Sequence, residues 1–495
     1  MLVDQLNTAF NPRCIAIAGA MGHPFAMGYR YVSHLLNYGY QGRVYPITRN
    51  SAEVLGIKTY SSLKEIPESV DYVICCLPAS QALDLIEQAY YKGVKVVHFF
   101  TGRFSETGQE DAARVEMEVL QRARELGIRL IGPNCMGIHY PKSGISFAYD
   151  MPGEPGRVSM FLQSGGAATQ FSHYAALRGV RFSKVISYGN ALDLNESDFL
   201  DYFSQDPETE VIAAYMEGIR DGTRFFRSLR EATLRKPVII LKAGRSSAGA
   251  RSAASHTAAL SGSFGTWNTA MRQTGAIQAQ SLDDMIDLVV SFDCLPPILG
   301  TRVGVLGGGG GNSVLAADEW EEAGFEVAPL PQEIEGEVRK LLPELWWGWL
   351  RNPIDMSIFP EEAFVTNLGG TIFRMMAQSS NFDLLVTNIM VGGPMSGEEL
   401  VALVGNEVED VLDIARKENT PVAVVLDTGA LGTENFDDVR WKCLAQAKTK
   451  LLAARIPVYA SGPQAANSIM RLIKYYRRRE DILSTSTDAP LAGSR

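Results

Sequence analysis

The sequence predicts an α/β protein built from parallel sheets, and three observations carry that reading. Three times an apolar, β-like run passes through a glycine-rich turn into a helical pattern. The turns lie ~144 residues apart, a spacing that suits three domains of ordinary size in a chain of 495 residues. Between them, short β-rich runs alternate with helical stretches, as parallel sheets covered by helices on both faces require.

The first opening is Cys14–Ala18, which runs through Gly19-Ala20-Met21-Gly22 towards a helix over Tyr29–Tyr38. Strands are predicted next at Val44–Ile47, Tyr72–Leu77, Val94–Phe99 and Arg129–Ile131. The second opening is Val158–Leu162, followed by Gln163-Ser164-Gly165-Gly166 and a helix through Phe171 and Leu177. Its later strands are Val185–Ser187, Val211–Met216 and Val238–Leu241. The third is Val303–Leu306 with the glycine run 307–311, then strands at Glu326–Pro329, Leu384–Ile389 and Val422–Leu426. Each turn aims backbone N–H groups and a helix N-terminus at a ligand, as in Rossmann- or flavodoxin-like domains. Breaks are expected in the Gly- and Pro-rich stretch 141–157 and at Leu295-Pro296-Pro297-Ile298. The expected domains are therefore 1–145, 155–296 and 299–480, with a disordered tail over 481–495.

Composition excludes several function classes. A net charge of −10 and no basic stripe beyond Arg477-Arg478-Arg479 argue against a nucleic-acid partner. No apolar run approaches the ~18 residues a membrane helix needs, and no signal peptide is evident. The six cysteines show no CxxC and no metal-ligand spacing, so no metal site is expected. They read as reduced thiols of a cytoplasmic protein.

Two segments carry chemistry. Ser255-His256-Thr257-Ala258-Ala259-Leu260-Ser261-Gly262 sets a histidine in a segment of small residues, read as a flexible loop. A neutral imidazole, with a reference pKa of about 6.5, is a competent nucleophile that can take up a phosphoryl group and hand it on. The turn Gly19–Gly22 is not a GxGxxG, so a dinucleotide fingerprint is absent. The next strand ends in Thr48-Arg49-Asn50, with an arginine where an NAD site would carry an acid. An arginine there suits an adenosine ribose with an extra phosphate, as in NADP or coenzyme A.

Motifs spread from about residue 10 to 475 then point to one family. They are Gly19-Ala20, Pro24, Gly28-Tyr29-Arg30, Tyr45-Pro46, Leu77-Pro78-Ala79 and Ile131-Gly132-Pro133-Asn134-Cys135. Gln163-Ser164-Gly165-Gly166, Gly189-Asn190, Glu217-Gly218-Ile219, Ser255-His256-Thr257, the third glycine run and Asn352-Pro353-Ile354-Asp355 follow in order. In these the chain resembles the α subunit of NDP-forming (ADP-forming) acyl-CoA synthetases, the succinyl-CoA synthetase α-like superfamily. The resemblance implies an N-terminal Rossmann-like CoA-binding domain followed by two flavodoxin-like parallel-sheet domains. It implies phosphorylation of His256, oriented by Glu217, with phosphate held by Ser164, Gly165, Gly166 and Ser357, the last at a helix start after Asp355. It places coenzyme A over Gly19, Ala20, Met21, Gly22, Arg49, Pro78 and Gly102, with Asn134 near the thiol end. It puts Gly392 and Gly393 at the acyl site. It also implies a separate ATP-grasp β subunit holding ATP or ADP with Mg, hence a hetero-oligomer, and a small carboxylic acid as substrate.

The sequence departs from the family at Ala258, where a glycine is usual, and at Thr48-Arg49, where Asn-Pro is usual. Trp346, Trp347 and Trp349 make the segment before Asn352 unusually aromatic, suiting an acyl pocket, a subunit interface or core. Two other classes compete with the ligase: a non-catalytic CoA or acyl-CoA sensor of the same fold, and an NADP-dependent oxidoreductase. His256, Glu217 and Ser164 together favour the ligase over the first, and the missing fingerprint disfavours the second.

Overall fold

The computed structural model describes residues 2–257, 264–342, 350–360, 363, 366–389, 397–426 and 433–487, with side chains omitted at 253–257 and 486–487. Its contacts divide the chain into two compact units, 1–285 and 286–495. Within the described residues the first unit holds two main sheets and the second holds one.

The strands follow the apolar runs. In the first sheet they are β1 (Cys14–Ala18), β2 (Arg43–Ile47), β5 (Tyr72–Cys75), β6 (Val96–Phe99) and β7 (Arg129–Ile131). A small ribbon of β3 (Glu53–Val54) and β4 (Ile57–Lys58) follows β2. Strand β1 is buried along its whole length, and such two-sided burial selects a continuous run like Cys-Ile-Ala-Ile-Ala. All pairings in this sheet are parallel, in the order β2-β1-β5-β6-β7.

The second sheet comprises β8 (Gly137–His139), β9 (Pro155–Leu162), β10 (Phe182–Ser187), β11 (Val211–Met216), β12 (Val238–Lys242) and β13 (Ile277–Ala279). Its order is β13-β12-β11-β9-β10-β8, parallel except for β8, which runs antiparallel to β10. The second unit has β14 (Arg302–Leu306), β15 (Glu326–Val327), β16 (Leu384–Asn388), β17 (Val422–Val425) and β18 (Val458–Tyr459), ordered β15-β14-β16-β17-β18. Leaving β8 aside, every sheet has the second strand, first, third, fourth and fifth side by side. In that arrangement the chain direction reverses between the first and third strands, and the crevice at their carboxyl ends is where such sheets bind ligands. All three glycine turns open there.

Several elements differ from the sequence reading. β8, β13 and β18 are two or three residues long, too short for a periodicity to register. β8 lies within the span expected for the first domain but pairs into the second sheet. Its exit is held by Glu208, which accepts from Tyr140 Oη at 2.7 Å and from Lys142, and by Lys184, whose Nζ is 2.7 Å from Glu208 and 2.8 Å from Asp206. The chain end is also different. The helix Gly462–Thr487 runs through the start of the stretch expected to be disordered. No proline or glycine interrupts Arg477–Thr487, and Ser484 and Thr485 hydrogen-bond back to Asp481. Among the described residues no helix is long and apolar enough to cross a membrane.

The two sheets of the first unit are joined along β7. Leu192 and Leu194 donate to Gly132 and Leu130, while Asp193, 7% exposed, takes Arg129 Nε at 2.7 Å and the Leu130 amide at 3.0 Å. Removing this carboxylate leaves the buried Leu130 amide without its acceptor and the Arg129 guanidinium with only the more distant Asp198, 3.9 Å away. D193A should cost about 3 kcal/mol of unfolding free energy in denaturant titrations followed by circular dichroism.

Glu208 predicts a pH effect. Burial would push its carboxyl up, but hydrogen bonds from Lys142, Lys184 and Tyr140 outweigh it and take the pKa from 4.5 down to about 2. A depressed carboxylate contributes stability above its unfolded pKa and loses it as pH falls towards the folded value. Stability should therefore decline between about pH 4.5 and 2, and E208Q should flatten that part of the curve in thermal melts.

Candidate functional site

A cleft of about 870 Å³ opens at the carboxyl ends of β1, β2, β5 and β6. Gly19, Met21, Arg49, Pro78 and Gly102 line it, together with Ser61 and Ser62 from beyond the β3–β4 ribbon. Gly19 has φ +89°, and a Cβ there would lie 3.0 Å from the Cys76 carbonyl atoms. The helix Met27–Asn37 packs so closely on this turn that a Cβ on Gly28 would be 2.4 Å from the Gly19 oxygen. Its N-terminus has no side-chain cap.

The turn differs in detail from the sequence reading. Gly19 and Ala20 spend their amides on the Ile47 oxygen, at 3.0 and 3.1 Å. Ala20 is fully buried beneath the cleft, and Gly22 faces Ser51. Neither is among the cleft-lining residues, because the Met21 and His23 amides fold the turn back on itself. Asn134 stands at the rim: a Cβ on Gly102 would come 3.1 Å from its Oδ1. Its amide donates to Thr101 at 3.0 Å. Ser61 and Ser62 had no sequence signal, since only the ribbon's folding brings them to the cleft.

The second sheet carries a second cluster. Ser164 caps the helix Gly165–Ala176, its Oγ accepting from the Ala167 amide at 3.3 Å. A Cβ on Gly165 would lie 2.5 Å from Met136 Cγ, whereas Gly166 is exposed. Gln163 Oε1 accepts the amides of both Glu217 and Gly218, tying the turn after β9 to the turn after its neighbour β11. Glu217 is buried, with Tyr215 Oη 3.4 Å from its Oε1. Lys242 Nζ, also buried, donates to the Glu217 carbonyl at 2.7 Å. Burial lowers the Lys242 pKa, and the Glu217 charge works against that shift.

His256 does not sit in a loop. It lies in the last turn of the helix Ser247–Thr257. Ser246 starts this helix, with Oγ 3.1 Å from the Gly249 amide, and the run of alanines sustains it. The helix lies against the turn Ser105–Thr107, which continues from the cleft wall at Gly102-Arg103. The imidazole itself and Ala258 lie outside the described side chains and residues.

In the second unit, Asn352-Pro353-Ile354-Asp355 lies beside β14. Asn352 bonds Val303, Ala328 and the Val305 amide, and Ile354 pairs with Leu306. The expected helix start after Asp355 is a single 3₁₀ turn, Met356–Ile358: Asp355 Oδ1 takes both the amide and the hydroxyl of Ser357, at 2.8 and 2.6 Å, but Phe359, which precedes Pro360, is extended and ends it. Ser357 borders the third glycine turn, 3.8 Å from where a Gly309 Cβ would stand. Gly392, Gly393 and the three tryptophans 346, 347 and 349 lie outside the described residues.

The sequence and fold are matched by known proteins. The CoA binding domain family matches residues 13–141, and the succinyl-CoA ligase like flavodoxin domain family matches 155–292. The α subunit of the ADP-forming acetate–CoA ligase II of Pyrococcus furiosus is 36% identical over 389 residues, covering 78% of this chain and 83% of that one. The corresponding ligase I subunit is 33% identical, with 71% and 77% covered. An ADP-forming acetate–CoA ligase I of Archaeoglobus fulgidus is longer: it is 32% identical, and the match covers 76% of this chain and 54% of that one. Among solved structures, the dinucleotide-forming acetyl-coenzyme A synthetase 1 of Ca. Korarchaeum cryptofilum, in complex with phosphate and ADP, superposes with TM-score 0.81 at 29% identity over 99% of both chains. A CoA-binding domain followed by a succinyl-CoA ligase-like flavodoxin domain, with relatives of this identity and coverage, makes the chain a member of the family of ADP-forming acyl-CoA ligase α subunits.

Proposed function

We propose that this chain is the phosphoryl-carrying subunit of an NDP-forming acyl-CoA synthetase, catalysing acid + CoA + ATP ⇌ acyl-CoA + ADP + phosphate. One observation carries the reading. A single compact unit contains the 870 Å³ cleft and the Ser164 and Glu217 turns, and its His256-bearing helix lies against the turn leaving the cleft wall.

In this reading the ATP-grasp β subunit, with ATP and Mg, delivers a phosphoryl group to a ring nitrogen of His256. Glu217 accepts a hydrogen bond from the other ring nitrogen, fixing the tautomer and offsetting the charge that develops. The Ser164 hydroxyl and the helix start at Gly165 and Gly166 offer donors and a positive dipole end to the phosphoryl oxygens. Ser357 is proposed to bind phosphate at the third glycine turn, and Gly392 and Gly393 to border the acyl group. The N–P bond then breaks as a carboxylate oxygen of the acid takes the phosphoryl group. The CoA sulfur attacks the resulting acyl phosphate at its carbonyl carbon, and phosphate leaves with the C–O bond.

The adenosine end of coenzyme A is assigned to the Arg49 side of the cleft and the thiol end to Gly102 and Asn134. The functional domains are proposed as 1–145, 155–296 and 299–480. The subunit is proposed to work in the cytoplasm as part of a hetero-oligomer.

Purified chain incubated with labelled phosphate and a panel of acyl-CoAs should acquire acid-labile, alkali-stable label, and H256A should acquire none. An unlabelled wild type across the panel, repeated with an ATP-grasp partner, would replace the ligase reading with a CoA-binding module. A second measurement addresses the cleft. R49A should weaken CoA binding about tenfold, the value of one charge-assisted hydrogen bond, and leave dephospho-CoA unchanged in calorimetry.

A further inference from the structure

Glu106 was singled out by no motif, yet it is the most connected carboxylate near the cleft. One oxygen, Oε1, accepts the Arg103 amide. The other, Oε2, accepts the Phe104 amide at 3.1 Å and the side-chain Nδ2 of Asn190 at 2.8 Å. Arg103 has φ +70°, a left-handed backbone that an arginine adopts at a cost, so the carboxylate holds a shape the turn would not keep alone. The same carboxylate reaches the cleft wall: a Cβ on Gly102 would stand 3.0 Å from Glu106 Oε1 and 3.1 Å from Asn134 Oδ1.

Asn190 is the other half of the contact, 84 residues away at the carboxyl end of β10. It is 5% exposed. Its amide donates to Pro133 at 3.0 Å, and its carbonyl accepts Arg220 Nη2 at 2.7 Å, from the loop that follows Glu217-Gly218. A Cβ on the preceding Gly189 would fall 2.4 Å from the Asn134 oxygen, so this loop rests directly on the rim. The helix carrying His256 lies against Ser105–Thr107, the turn that contains Glu106.

We propose that Glu106 and Asn190 form a positioning clasp that sets where the thiol end of coenzyme A lies relative to the phosphoryl-carrying helix. Neither residue is among those lining the cleft, so neither is assigned chemistry of its own. The clasp rests on the ligase reading above. Its specific content is that it acts on the thiol step and not on phosphoryl uptake, because its donors and acceptors all belong to the rim and to the loop behind it.

The two steps can be measured apart. ATP labelled in its γ-phosphoryl group, acting through the ATP-grasp partner, should load the histidine without coenzyme A whatever the acyl group, whereas acyl-CoA formation needs the thiol. E106Q keeps the shape but has only one accepting oxygen for three donors. N190D sets a second carboxylate against the first. With the complete synthetase, both variants should raise the KM for CoA about tenfold, as expected for one lost charge-assisted hydrogen bond, while labelling by ATP stays within about twofold. E106D, a shorter carboxylate, should recover part of the loss. An unchanged KM for CoA, or labelling and KM failing together, would overturn the clasp. The ligase reading fails on a different result: a wild-type chain that takes no label.

Discussion

The architecture depends on how closely one backbone passes another where the first strand of a sheet ends. A Cβ on Gly19 would lie 3.0 Å from the carbonyl of Cys76, the residue after the third strand of that sheet. A Cβ on Gly307 would lie 2.5 Å from the oxygen of Asn388, the last residue of the corresponding strand in the second unit. Both glycines have positive φ. The chain must leave the first strand between its neighbours and turn towards the helix that follows. Only a residue without a Cβ passes there, and the helix N-terminus is thereby set over the crevice. The cleft at Gly19 and the turn beside Ser357 are two uses of this one constraint.

The second sheet meets the same demand with side chains. Gly165 packs on Met136, and the functional turns are joined by Gln163, whose single oxygen takes two amides from the Glu217 turn. The carboxylate is then buried at the strand ends, with Lys242 beneath its own carbonyl. The Glu217 turn is thus fixed through its backbone. In the proposed reaction, a carboxylate held in this way would receive an imidazole and offset its change of charge.

Within the first unit, the two sheets are coupled by buried polar groups where apolar packing alone would permit sliding. Asp193 fixes the edge strand β7 through Arg129 and Leu130. Glu106 and Asn190 fix the rim of the cleft. Both contacts join segments more than sixty residues apart. Directional bonds between a carboxylate and several donors define one geometry, and the proposed thiol attack on an acyl phosphate needs a geometry good to fractions of an ångström.

The sequence by itself determined the α/β class, most of the longer strands and the glycine turns, since each is a local pattern: an apolar run, a residue without a Cβ, an amphipathic helix. Arg49 is named by its place after the second strand, and Ser164, Gly165, Glu217 and Gly102 by the resemblance of separated motifs to one family; their roles belong to the proposed function. Tertiary structure decided the rest. β8, β13 and β18 are stabilised by partners already in place and not by their own two or three residues. Ala20 and Gly22 turn away from the cleft because neighbouring amides close the turn. The segment before His256 is helical because Ser246 caps it and alanines outweigh the freedom of small residues. The Glu106–Asn190 bond has no signature in either segment, because a hydrogen bond across 84 residues exists only once both sheets are folded and packed together.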